Sequence, residues 1–142
     1  MQLDKIEEIV ALNNSAVFTT FRRSGAAQMS IVTVGVLNDG VAFTISPGSA
    51  KLGNLRRNPR CSLMVSRSDW RDYAVLEGRA QVLSPDSTPI EELRLILREV
   101  YRAGSGKEHP DWEEFDQAVK EDRRSAIIVV PDHIYYLSLI HI

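Results

Sequence analysis

Lys51 is the residue whose setting most invites chemistry. It falls in the first turn of a short helical segment, Ala50 to Leu55, that follows a strand and has Ser49 in position to cap it. A helix start offers free N–H groups and the positive end of its dipole, so a lysine beside them completes a seat for a phosphate. Acidic residues are the usual occupants of a first turn, and a lysine there is unfavourable until an anion arrives. A solvated surface lysine is the competing reading, and spacing alone does not separate the two. Arg56, Arg57 and Arg60 crowd the far end of the same segment, where the dipole favours cations, and Pro59 stops it.

Other chemistries lack their residues. Gly104-Ser105-Gly106-Lys107 resembles a fragment of a phosphate loop, but Tyr101 stands where the loop needs its first glycine and Glu108 where it needs Ser or Thr. It reads as a helix stop. No glycine-rich dinucleotide fingerprint follows any strand. His109, His133 and His141 are scattered, with no histidine at helical spacing to a carboxylate, so no metal site is expected. Cys61 heads a strand and reads as a small buried side chain rather than a nucleophile. Asn13-Asn14-Ser15 has the form of a glycosylation sequon, which carries no weight without a secretion signal.

The elements that must position Lys51 belong to one domain. The chain has 142 residues, 44% hydrophobic and 25% charged, an ordinary globular composition. Its formal net charge of -2 argues against a nucleic-acid partner, which would call for a basic excess or face. The single cysteine excludes an internal disulfide framework and fits a reducing cytoplasm. Met1 to Ile9 mixes four charged residues among its apolar ones, unlike a signal peptide. The longest apolar run, Ala126 to Val130, is far too short to span a bilayer, so no membrane association is expected.

Periodicity sets the order of elements. Leu3, Ile6, Ile9 and Val10 make an amphipathic helix over 3–13. Ala16–Phe21, Gln28–Leu37 and Val41–Ile45 read as three strands of a meander, with Asp39-Gly40 turning the second hairpin because that turn needs positive φ. Cys61–Val65 is a further strand. Along Tyr73–Val82, Ala74, Leu76, Ala80 and Val82 alternate with polar residues, leaving one face wet or functional. Thr88, Pro89 and Glu91 form a helix start with Thr88 as cap, and Asp111 with Glu114 starts another. Ser125–Val130 is a buried strand, Pro131-Asp132 turns the chain, and Ile134–Leu137 makes a final hairpin. Strands do not alternate with helices, so a doubly wound parallel sheet is disfavoured. The expected fold is mainly β (α+β), a partly open antiparallel barrel with peripheral helices.

Several segments, in this order and spacing, resemble one known superfamily. Ala50-Lys51, then Asn54-Leu55-Arg56-Arg57-Asn58-Pro59-Arg60, is similar to the signature of the FMN- and deazaflavin-binding split β-barrel oxidoreductases, which include pyridoxamine 5′-phosphate oxidase. Trp70 with Tyr73-Ala74-Val75-Leu76-Glu77-Gly78 resembles the central strand of the branch that uses coenzyme F420. His109-Pro110-Asp111-Trp112, Asp122-Arg123-Arg124 and Gln28-Met29-Ser30 fall where that branch has its late helix, the approach to its next strand and its second strand.

The resemblance implies a homodimeric split barrel over residues 1–136, with two cofactor grooves built from both chains. It implies F420 as cofactor, or FMN in the alternative, and reduction of a small unsaturated or quinone-like acceptor by hydride transfer. An FMN oxidoreductase, or a non-catalytic F420 or haem binder, is the other reading of the same barrel. Phosphate binding is implied for Lys51 and for the backbone around Ser49 and Ala50, and cofactor contacts for Gln28, Met29, Ser30, Asn54, Trp70 and Tyr73. Tyr73 is also the candidate proton donor, against a plain groove-lining role. Trp70 is a stacking residue or a dimer anchor. Three positions depart from the pattern: Ser49 and Gly53 stand where relatives carry basic or polar residues, and Ile31 replaces an asparagine. Fewer cations should hurt F420, with its phosphodiester and glutamate tail, more than FMN. Residues 137–142, Leu-Ser-Leu-Ile-His-Ile, are what CTGTCTCTTATACACATC encodes, a transposon-end adapter, and are read as a non-native tail in which His141 has no role.

Overall fold

A computed structural model describes residues 3–138. The chain runs α1 (Asp4–Leu12), β1 (Ser15–Phe21), β2 (Ala27–Thr33), β3 (Gly35–Leu37), β4 (Gly40–Ile45), α2 (Ala50–Arg57), β5 (Arg60–Ser66), β6 (Asp72–Leu83), α3 (Ile90–Ser105), α4 (Trp112–Glu121) and β7 (Ser125–Ser138). The seven strands form one antiparallel sheet in the order β2-β1-β5-β6-β7-β4-β3. It curls into a split barrel. Alternate residues fill the inside: Phe18, Phe43, Ile45, Leu63, Leu76, Ile127 and Val129 are all essentially buried, and the Phe18 and Phe43 rings meet edge-on at 4.7 Å. Ile6 and Ile9 of α1 join this core. A second layer forms where Leu93, Leu97 and Val100 of α3 cover Ala42, Ala126 and Ile128.

The expected strand Gln28–Leu37 is two strands, and the expected meander is absent. β2 pairs with β1 at one edge of the sheet, whereas β3 pairs with β4 at the other. Val34 alone separates them. Its N–H donates to the Asn14 carbonyl at 2.8 Å and its side chain is fully buried. Gly35 is required there: a Cβ on it would lie 2.2 Å from the Ala103 carbonyl carbon at the end of α3. Val, Ile and Thr on the N-terminal side of Gly35 and Val-Leu beyond it conceal this joint, because both pieces have strand composition.

The hairpin expected at Pro131-Asp132 is also absent. β7 passes straight through and pairs with β6 from Leu83↔Ala126 to Asp72↔Ser138. The ladder goes from Gly78↔Pro131 to Glu77↔His133, so Asp132 is a bulged residue. A bulge accommodates a proline, which has no N–H for the ladder. Over Val41–Ile45, β7 also pairs with β4, and among the described strands it provides the ladder that joins the β2-β1-β5-β6 and β4-β3 parts of the sheet. Leu137 and Ser138, assigned above to the tail, continue the pairing with Tyr73 and Asp72. Residues 139–142, including His141, lie outside the described residues.

Turn and cap chemistry differs in three places. The β3–β4 turn is centred on Asn38-Asp39, with Asn38 at φ 55°, and Gly40 pairs with Leu37 inside the ladder. Gly40 serves close approach, since a Cβ would meet the Val129 carbonyl oxygen at 2.6 Å. Pro89, not Thr88, occupies the position before α3, and no side chain caps that helix. Ser49 precedes α2 as expected, yet its hydroxyl donates to the Ser46 carbonyl instead of accepting from the helix. Asp111 does cap α4, accepting from the Glu114 N–H.

Candidate functional site

The split in the barrel creates the candidate site. Continuing the β3–β4 register past Gly35↔Ala42 would set Thr33 opposite Thr44 and Ile31 opposite Ser46. The strands part there instead. The opening is a slot of about 300 Å³ whose lining includes these four residues with Lys51 and Arg124. Thr33, Thr44 and Ser46 contribute hydroxyls, and no carboxylate lines it. Lys51 is half-buried in the first turn of α2 and joins no ion pair among the described residues. Ser49 and Ala50 lead into that turn, so the free amides of α2 open near the same lysine.

Arg124 was not singled out as a site residue from the sequence. It stands just before β7, whose first pair is Ser125↔Ile45, and therefore lies beside Ser46. Its Nη1 donates to Ser46 Oγ at 2.9 Å across 78 residues of sequence. Only the β4–β7 ladder places it there. The one sequence trace is the basic pair Arg123-Arg124 directly before a buried strand.

A second group of expected residues is tied together one turn further along α2. Asn54 is buried and donates through Nδ2 to Thr20 Oγ1 and Gln28 Oε1, each at 3.1 Å. Its Oδ1 accepts from Arg57 Nη2 at 3.0 Å. Gln28 and Ser30 face inward, opposite Thr20 and Phe18, whereas Met29 and Ile31 point outward and are about two-thirds exposed. Asn54 therefore braces α2 against the hairpin that carries Gln28.

The outer face of the sheet carries an apolar row. Ile31, Val17, Met64, Val75 and Tyr135 are successive cross-strand partners over β2, β1, β5, β6 and β7. Trp70 extends this face, lining a small cleft with Ile31, Val17 and Met64. Ile31 is thus the wall shared by the Trp70 cleft and the Lys51 slot. Trp70 is largely exposed and held at φ 62°, an uncommon conformation for a bulky residue. Tyr73 pairs with Ser66 and Leu137 and lines neither cleft. Cys61 is buried, and burial pushes its thiol up to about 12, which keeps it protonated and unreactive. Among the described residues no helix is long and apolar enough to cross a membrane.

A family profile described as pyridoxamine 5′-phosphate oxidase matches residues 3–138. A conserved hypothetical protein from Mycobacterium tuberculosis has a similar structure, with TM-score 0.78 and 18% identity over 98% of this chain and 86% of that one. A structure described as an F420 reductase matches with TM-score 0.62 and 18% identity, covering 91% of this chain and 94% of that one. A heme binding protein from Mycobacterium smegmatis matches with TM-score 0.64 and 19% identity, over 96% of this chain and 55% of that one. Likeness at these identities speaks to the fold, and the matched proteins differ in what they bind.

Proposed function

The chain belongs to the pyridoxamine 5′-phosphate oxidase family, and from that premise we propose that it is a cytoplasmic oxidoreductase that uses reduced F420 to reduce a small unsaturated or quinone-like acceptor. The observation that carries this reading is the slot at Lys51: a half-buried cation among hydroxyls, in no ion pair among the described residues, with no carboxylate in the lining. That donor set fits the phosphate of a flavin-type cofactor. When bound, reduced F420 supplies a hydride as a two-electron donor.

The protein's share of the work is binding and orientation. Lys51 neutralises the phosphate, and the first amides of α2 and the slot hydroxyls give it hydrogen bonds. Asn54 fixes Gln28 and the β2 backbone, so the inward face of β2 is held at a set distance from α2. Trp70 offers an exposed ring for stacking at the far side of Ile31. Tyr73 serves as proton donor only if a second copy brings it to the groove, because within one chain it lines neither cleft. The apolar row from Ile31 to Tyr135 supports such a homodimer, since a covered partner would remove this face from water.

FMN is the second reading, favoured by the neutral side chains at Ser49 and Gly53, which leave fewer charges for a long anionic tail. Fluorescence titration with F420 and with FMN separates the two. F420 binding, with oxidation of reduced F420 by quinone or enone acceptors, supports the proposal. Tight FMN binding without F420 binding replaces it with the second reading. F420 binding without turnover of any acceptor makes the protein a carrier.

A further inference from the structure

The Lys51 slot contains a second cation whose hydrogen-bonding capacity is largely unspent. A guanidinium carries five N–H donors. Arg124 uses one side-chain donor, to Ser46 Oγ, and joins no ion pair among the described residues. Arg56, Arg67, Arg94, Arg98 and Arg102, by contrast, each meet a carboxylate. Arg124 is half-buried, and two like charges facing one slot without a carboxylate repel each other. An anion between them removes that repulsion. Lys51 comes from the first turn of α2 and Arg124 from just before β7, and both line the slot with Thr33, Thr44 and Ser46. A tetrahedral phosphoryl group can meet donors from both cations and from the threonine hydroxyls at once, which a planar carboxylate does less well.

We propose that Arg124 is a phosphate-binding residue of this slot, clamping a phosphoryl group against Lys51. This deepens, and rests on, the reading of the slot as a cofactor's phosphate seat. Arg124 supplies from across the sheet the positive charge that Ser49 and Gly53 do not. The bond to Ser46 orients the guanidinium and leaves its remaining donors for the ligand.

The test is an NMR titration of the ¹⁵N-labelled protein with inorganic phosphate, alongside titrations with FMN and F420. Phosphate is expected to shift the amides of Thr33, Thr44 and Lys51. Arg124→Gln keeps a donor for Ser46 but removes the charge, and should weaken phosphate and cofactor binding by about tenfold or more. Arg124→Lys should recover part of the phosphate affinity, and Ser46→Ala should change it far less than Arg124→Gln. Unchanged phosphate affinity in Arg124→Gln, or no shifts in the wild type, overturns the proposal. Phosphate binding through Arg124 with no binding of FMN or F420 upholds this site and removes the cofactor reading. Cofactor binding that depends on Lys51 but not on Arg124 does the reverse.

Discussion

Asn54 donates a hydrogen bond to Thr20 Oγ1 at 3.1 Å, and both residues are buried. The pair pins α2 to β1. Asn54→Ala leaves a fully buried hydroxyl without this donor and should cost about 1–3 kcal/mol of stability in urea denaturation. Adding Thr20→Val removes the orphaned hydroxyl, and the double variant should regain part of that loss.

Lys51→Ala should act on affinity rather than on the fold. Lys51 makes no side-chain hydrogen bond or ion pair among the described residues, so removing it strands no partner. Loss of a charged hydrogen bond of about 1.5–3 kcal/mol predicts a roughly ten- to hundredfold weaker cofactor affinity at unchanged melting temperature. A variant that melts early yet binds normally would make Lys51 structural.

Two glycines should respond in opposite directions. A Cβ on Gly78 would lie 2.1 Å from the Val130 carbonyl oxygen, a backbone atom that cannot step aside cheaply. Gly78→Ala should therefore cost at least about 2 kcal/mol. Gly53 lies inside α2 with nothing within 4 Å of such a Cβ. Gly53→Ala should stabilise by about 0.5–1 kcal/mol through helix propensity. Thermal melts of the two variants check both signs.

The apolar row on the outer face predicts self-association. Light scattering at micromolar concentration should give a mass near twice 16.0 kDa. Met64→Glu places a charge in the middle of the row and should yield a monomer that keeps its circular dichroism spectrum. A Met64→Glu protein that remains dimeric would move the interface to another face.

Cys61 predicts a fall in stability at high pH. The folded thiol is pushed from its ordinary 9.0 up to about 12, chiefly by burial. Between those values the unfolded chain has lost the proton and the folded chain retains it. The unfolded state then binds fewer protons, so stability declines as pH rises from about 9 towards 12. Cys61→Ala should flatten that part of the stability–pH curve. In the native wild type, thiol reagents at pH 8 should find no accessible sulfur.

The alternation along β6 and the apolar spacing of Leu3, Ile6, Ile9 and Val10 in and before α1 were legible because each follows one period. The joint at Val34 was not, since its signal is the packing of Gly35 on the end of α3, a contact between distant segments. Pro131-Asp132 misled for the opposite reason. A local turn signal was present, but pairing with β6 on both sides of it converted the turn into a bulge. Lys51 was legible because its anomaly, a cation in a first helical turn, is local. Arg124 was not, because its place beside Ser46 exists only once β7 has paired with β4.

The position of β7 also orders the assembly of the molecule. It is the last strand among the described residues, and its two ladders join the β2-β1-β5-β6 and β4-β3 parts of the sheet. During synthesis both parts are made before it emerges. Until then β6 and β4 each expose an unpaired edge, the kind of surface that recruits other chains. β7 therefore closes two aggregation-prone edges in one event, with pairings far apart in sequence that slow the closure. A chain stopped before Ser125 would be left with both edges open.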